Sequence, residues 1–475
     1  MLFNSLNFLL FFSIVFTAYW LIPLRFRWII LLISSYFFYA FWNPIYILLL
    51  FFSTITDYLL SRYLTSSSNH KRSRLGLITT ILLNFGLLFS FKYYDFVVTT
   101  ISELLVFLNL PLPIQPPTLS LILPVGISFY TFQSISYAVD VYRKTIPIER
   151  HFGRFALYIS FFPQLVAGPI ERAGDLLPQL RNFKLKLELA ELKQGMHLIL
   201  WGLFMKVVIA DNLAYFVNLK YGSVTTTSGG EMLFATIIFS FQVYADFNGY
   251  STIARGTAKL LGFDLMKNFN FPFFSRSWKE LWTKWHISLS QWMRDYLFIP
   301  LGGSRKSKLI TYRNVLIVFT LSGLWHGSST TFVFWGFLCG LIWVIEDVTF
   351  RLFAFNYPFK NYFSKWIKPI IIYSIFVLCL IPFRSSSINE AVVIYSKIAH
   401  LEIKDVYFWF ADNRYSPGML GLYVLFLSEA TIYIYPKLKE IDTSNSFYLL
   451  WNIALLFAIL LLGHDAGNQF IYFQF

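Results

Sequence analysis

The stretch Ile45–Leu64, IYILLLFFSTITDYLLSRYL, decides the fold class. It is mainly apolar from end to end and carries only Asp57 and Arg62 as charges. About 20 such residues suffice for a helix to cross the hydrocarbon core of a bilayer. A basic cluster, His70-Lys71-Arg72-Ser73-Arg74, follows it, while the uncharged turn Asn43-Pro44 precedes it. Comparable apolar segments recur along the whole chain. On the N-terminal side they are Leu6–Leu24, Trp28–Trp42, Leu75–Phe91, Leu119–Val141, Leu198–Phe216 and Leu233–Phe247. The C-terminal set is Val315–Trp325, Thr331–Phe350, Ile367–Phe383, Leu420–Ile434 and Phe447–Leu462. Several are short, as broken or re-entrant helices are where protein or a water-filled cavity surrounds them. The expectation is an all-α polytopic membrane protein, one domain over residues 1–475, with about 11–13 membrane-embedded helices.

Composition agrees. Of the 475 residues 56% are hydrophobic and only 13% charged, about half the roughly 25% of soluble domains. That excludes an ordinary soluble enzyme, a disordered chain and a fibrous repeat. The 39 Lys+Arg against 25 Asp+Glu give +14. In a polytopic protein this excess reads as basic loops on the cytoplasmic face rather than as a nucleic-acid surface. Arg25 and Arg27 after the first span, and the cluster at residues 70–74, fall on one side, so the N-terminus is expected outside. The stretch from Arg143 to Lys186 and the run Arg305-Lys306-Ser307-Lys308 are placed on the same cytoplasmic side. The segment Asn7–Tyr19 lacks a basic leader and a cleavage site, and reads as a retained helix. Cys339 and Cys379 read as small buried hydrophobes, with no disulfide framework or zinc site.

From about Leu123 to Gly327 polar and Gly/Pro-containing motifs interrupt the apolar sequence. They include Leu123–Phe129, Phe161–Glu171 and Tyr244–Ser251. Unsatisfied polar groups at membrane depth are costly, so their density points either to a protein-lined polar cavity or to loop ends at the interface. Asp246, closing the apolar run Met232–Ala245, reads as a group facing a cavity or partner, or as a cap for the next helix. His286 sits in Lys284–Arg294, read as an amphipathic helix. His326 ends an apolar helix just before Gly327. Histidine is the side chain matched to general-base work near neutral pH, and Gly323 and Gly327 would leave room for a substrate path. Considered alone, a histidine within a membrane protein is more often a hydrogen-bonded packing residue. His70, His151, His197, His400 and His464 read as structural or solvated. Phosphate-binding, dinucleotide, zinc-protease and nucleophile-elbow motifs are absent.

In this order the motifs Leu123–Tyr130, Gln164–Glu171, Ala245–Ser251, Trp285-His286-Ile287-Ser288, Arg294–Gly303 and Leu324-Trp325-His326-Gly327 resemble the membrane-bound O-acyltransferase superfamily. So do the opening Met1–Ser5 and the closing Phe470–Phe475. Within it the chain resembles the branch of the bacterial alginate O-acetyltransferases, relatives of the teichoic-acid D-alanyl transfer protein. The resemblance implies helices around a central funnel, a catalytic histidine at His326 and a second signature histidine at His286. The family's Asp-Phe-Ser-Gly-Tyr-Ser-Asp loop is altered here, with Asn248 and Thr252 at two polar positions. The implied reaction is acyl transfer from a cytoplasmic thioester, acetyl-coenzyme A being the expected donor, toward O-acetylation of an extracytoplasmic polysaccharide such as alginate. Lys284, Arg294 and Arg305 are the candidate contacts for the donor's phosphates. No metal and no permanently bound cofactor is expected. An extracytoplasmic acyltransferase partner and a multi-pass location in the inner membrane are. D-alanyl or lipid acyl transfer, or a transporter or flippase, are the rival readings.

Overall fold

A computed structural model describes residues 1–66, 70–110, 117–166, 168–353, 362–400, 416–435 and 446–464. The closing Phe470–Phe475 motif lies outside them. The chain is an all-α polytopic membrane protein; among the described residues there are twenty α-helices and no strand. Apart from their terminal turns, helices pair their backbone N–H and C=O groups within one segment, which hydrocarbon demands. Six helical stretches are long and apolar enough to cross a membrane: Ile45–Leu64, His70–Phe107, Leu189–Tyr221, Thr330–Leu352, Trp366–Arg384 and Ser416–Ile434. Leu6–Leu21 and Ser446–Leu462 are apolar but shorter. Two of the long stretches contain a π-helical turn, Phe89–Tyr93 and Phe204–Ala210. Such a turn inserts an extra residue and re-aims the side chains beyond it.

The centre is the 32-residue helix Gly229–Leu260, buried on most of its circumference. Its N-terminus carries a capping box, in which Ser228 and Glu231 bond each other's backbone N–H groups. Against it lies Leu189–Leu203. A Cβ on Gly202 would stand 2.6 Å from the Gly249 carbonyl oxygen, and one on Gly256 2.7 Å from that of Gly195. Two glycine pairs, seven residues apart on each helix, thus bring the backbones together as small residues do in membranes.

The expected span Leu119–Val141 starts late. Residues 117–126 are not helical, and the helix is Ile127–Tyr142. Pro124 has no N–H to donate, and Gly126 adopts φ 78, so the first turn cannot extend backward. Asp246 corrects the capping reading. It sits in mid-helix, with its Oδ1 2.8 Å from Lys206 Nζ, which is also 2.8 Å from Asp211 Oδ1. All three side chains are buried. The π-turn at Phe204–Ala210 carries Lys206 into this position.

Candidate active site

His326 ends the helix Lys308–His326, where Gly327 turns the chain into an extended conformation. Its ring is enclosed edge-on by Trp335 at 5.2 Å and Phe383 at 5.4 Å, with Trp325 at 5.0 Å. His286 lies 6.2 Å away, ring centre to ring centre. The chain does not run as one amphipathic helix through His286. One helix ends at Lys284, the next begins at Ile287, and His286 between them takes φ 43, ψ 57. That left-handed conformation is unusual for a residue with a Cβ and needs outside support. Asn268 supplies it. Its carbonyl accepts from the Ile287 N–H (2.9 Å) and its side-chain oxygen from the Ser288 hydroxyl (2.7 Å). Phe247 meets the His286 ring edge-on at 4.6 Å. The serine of the Trp-His-x-Ser motif therefore anchors the corner that aims the histidine.

Two cavities meet at His326. The larger, of about 500 Å³, runs the length of the His326 helix. Lys308, Thr311, Val315, Phe319, Ser322 and His326 line it at helical spacing, a stripe about 27 Å long at 1.5 Å per residue. Trp282, His286, Ser290, Met293 and Arg294 form its opposite wall. Lys279, Arg294, Lys308 and Arg351 make its rim basic, with Asp347 paired to Arg351 at 2.8 Å. The smaller cavity, of about 90 Å³, is lined by Trp42, Lys92, the Leu123–Phe129 motif, Trp325 and His326. His326 lines both cavities, and His286 only the larger.

Gly323 and Gly327 do not provide the path. A Cβ on Gly323 would lie 2.2 Å from the Phe332 carbonyl oxygen, and one on Gly327 2.2 Å from the Phe332 ring. Both glycines close the hairpin to Thr330–Phe353. Of the three donor-phosphate candidates, Arg294 and Arg305 come together with Lys306 around a hollow of about 420 Å³. Gly302 (φ 109) and Gly303 (φ 56) form the tight turn of its floor, and Asn314 pins that turn by donating to the Leu301 and Gly303 carbonyls. Arg294, Phe298 and Ser304 line both this hollow and the larger cavity. Lys284 lines neither. It pairs with Glu280 at 2.6 Å, an i,i+4 pair. Among the described residues no cluster of potential metal ligands occurs. Glu171, in the loop outside the spans, is buried, and burial pushes its carboxyl up to about 8, opposed by the Met266 N–H donated at 2.7 Å.

Lys92 is a site residue that motif reading missed. It projects from the π-turn Phe89–Tyr93, and its Nζ donates to the Trp325 carbonyl at 2.6 Å, with that of His326 at 3.4 Å. Tyr93 beside it donates to the Leu324 carbonyl (3.2 Å). The last carbonyls of the His326 helix, which have no partner within the helix, are thus held by hydrogen bonds from Lys92 and Tyr93. The available signal was an ionisable residue inside an apolar stretch. Lys92→Met should lower the turnover number about tenfold or more, the cost of leaving a buried carbonyl without its donor, whereas Lys92→Arg should retain most of it. Turnover of the two variants at saturating donor checks this.

A family model for MBOAT, the membrane-bound O-acyltransferase family, matches residues 149–389, which contain both histidines. The chain belongs to this family. It is an acyltransferase. A Pseudomonas syringae pv. tomato protein named "Probable alginate O-acetylase AlgI" is 36% identical over 394 residues, covering 82% of this chain and 74% of that one. The peptidoglycan O-acetyltransferase of Helicobacter pylori is 34% identical, over 76% of this chain and 71% of its own. The teichoic acid D-alanyltransferase of Bacillus subtilis is 29% identical, over 56% and 66%. These relatives share acyl transfer and differ in acyl group and acceptor.

Proposed function

We propose that this acyltransferase passes an acetyl group from cytoplasmic acetyl-coenzyme A through the inner membrane, for O-acetylation of an extracytoplasmic polysaccharide. The observation that carries the reading is His326, the one histidine walling both cavities, at the far end of a basic-rimmed tunnel. The donor's phosphates bind at Arg294, Arg305 and Lys306, and its thioester arm extends along the Lys308–His326 stripe. A hydroxyl enters from the smaller cavity. His326 takes its proton as the oxygen attacks the thioester carbonyl carbon. The tetrahedral intermediate then breaks its C–S bond, and the departing thiolate recovers the proton from the imidazolium. Trp325, Trp335 and Phe383 keep water from the thioester. The hydroxyl belongs to an extracytoplasmic acyltransferase partner or to the polymer itself.

The identity to the alginate and peptidoglycan acetylating relatives supports the acetyl group over D-alanine. Full-length protein in proteoliposomes is supplied with labelled acetyl-coenzyme A, acetyl-carrier protein or D-alanyl-carrier protein, and esters are counted on a hydroxyl acceptor enclosed on the opposite side. Label is expected from acetyl-coenzyme A; transfer from a D-alanyl carrier alone would replace this reading. Replacing Arg294, Arg305 and Lys306 together by Ala is expected to raise the donor KM about tenfold or more, at low salt, with a smaller effect on kcat. An unchanged KM would remove these residues from the donor site.

A further inference from the structure

A fourth hollow, of about 290 Å³, shares no lining residue with the cavities at His326. It lies between the helices Tyr362–Arg384 and Ser416–Ile434 and is floored by Phe241 and Tyr244 of the central helix. Both flanking helices are candidate spans. The rim residues Trp366, Ile370 and Phe426 are 51%, 64% and 51% exposed, so the groove opens sideways, toward lipid.

Its lining is graded. One end is apolar, with Leu422, Leu425, Phe241 and Phe273. At the other end Arg276 donates to the Tyr433 hydroxyl at 3.2 Å, and Lys284 Nζ lies 5.7 Å from the centre of the Tyr433 ring. Between them the Glu429 carboxylate accepts from the Tyr244 hydroxyl. The Leu422–Tyr433 distance along the helix is about 16 Å, enough for a polar head and a stretch of alkyl chain. The Glu280 carboxylate near this end is spent on the Arg276 backbone N–H (2.8 Å) and on Lys284 (2.6 Å). Among the described residues no carboxylate forms an ion pair with the Arg276 guanidinium. A mainly apolar trough, its Glu429 carboxylate already accepting from Tyr244, gives water few hydrogen-bond partners, and a cation at one end of it suits a single-headed anionic amphiphile.

Here Tyr244 also accounts for the altered family loop. The Asn248 side-chain N–H donates to the Tyr244 hydroxyl (3.1 Å), and the Thr252 hydroxyl to the Asn248 oxygen (3.3 Å). The two departures from the family pattern thus form, at four-residue spacing, a polar ladder under the groove's floor.

We propose that this groove seats an anionic glycerophospholipid of the adjoining leaflet, its phosphate on Arg276 and one acyl chain along Tyr373, Phe426 and Leu422. The test uses the full-length protein in detergent micelles doped with equal phosphatidylglycerol and phosphatidylcholine, with retained lipid counted by native mass spectrometry. Wild type is expected to retain one phosphatidylglycerol in preference to phosphatidylcholine. Arg276→Gln should lower that retention about fivefold, the effect of one basic residue at a membrane surface. Ile370→Trp, which fills the groove from its exposed rim, should abolish retention of either lipid while elution and melting stay as in wild type. Equal retention of the two lipids by wild type, or phosphatidylglycerol retention unchanged in both variants, would overturn the proposal.

Discussion

His326→Ala and His326→Gln are expected to reach the membrane at wild-type levels and to lose acyl transfer by about 10²–10⁴-fold, the range of a positioned general base. The helix that carries His326 is held by contacts that do not involve the imidazole. Lys92 and Tyr93 hold its final carbonyls, and Gly323 packs it on the neighbouring hairpin helix. The loss should therefore fall on kcat, with the donor KM little changed, because the residues proposed to bind the donor's phosphates, Arg294, Arg305 and Lys306, line a hollow that His326 does not border. The glutamine variant separates chemistry from packing. It keeps polar volume among Trp325, Trp335 and Phe383 but cannot take a proton. Acetyl ester formation by His326→Gln at more than a tenth of the wild-type rate would sink the role of His326 as base. His286 behaves differently, since its backbone conformation is itself demanding. Asn tolerates the left-handed region better than most residues, so His286→Asn isolates the imidazole from the turn, whereas His286→Ala disturbs both.

The contrast between these histidines shows what the sequence made legible. The spans were readable because the bilayer imposes one rule on every segment that crosses it, and the apolar runs express it directly. The pairing of His286 with His326 was readable only through the ordered family motifs, since forty residues separate them and no local pattern joins them. Small and charged residues were harder. Gly323 and Gly327 were expected to open a path, yet a missing side chain serves equally to admit a neighbour, and here Gly323 admits the Phe332 backbone and Gly327 its ring. Lys284 was expected at the donor site, although Glu280 four residues earlier already offered it a helical partner. Lys92 has Asp95 three residues on, but that carboxylate accepts from the Leu119 and Ser120 N–H groups. The function of Lys92 depends on a helix more than two hundred residues away and on a π-turn that local propensity does not announce.

Asp246 carries the second large expected effect, through Lys206. A single ammonium, flanked by two carboxylates at 2.8 Å, is buried where the central helix meets the Phe204–Ala210 turn. Removing one member of a buried ionic group leaves the others without compensation and costs about 3–5 kcal/mol, a large share of the roughly 5–15 kcal/mol that holds a typical domain folded. Lys206→Met, nearly isosteric, should accordingly give little monodisperse protein in detergent and a strongly lowered melting temperature. The cause is electrostatic rather than volumetric, so Lys206→Met combined with Asp246→Asn should be less destabilised than the sum of the two single variants, because the second change removes a charge that the first left unpaired. Additive losses in that double-mutant cycle would show that Lys206 acts by packing alone. The site residues themselves are untouched by these substitutions, and whatever double-mutant protein is recovered should retain its turnover number per folded molecule. The triad fixes the central helix against Leu189–Tyr221, and Phe247, the next residue after Asp246, bears on His286 at 4.6 Å. A fall in turnover of the folded double mutant would therefore mean that the triad also sets the His286 corner, through Phe247.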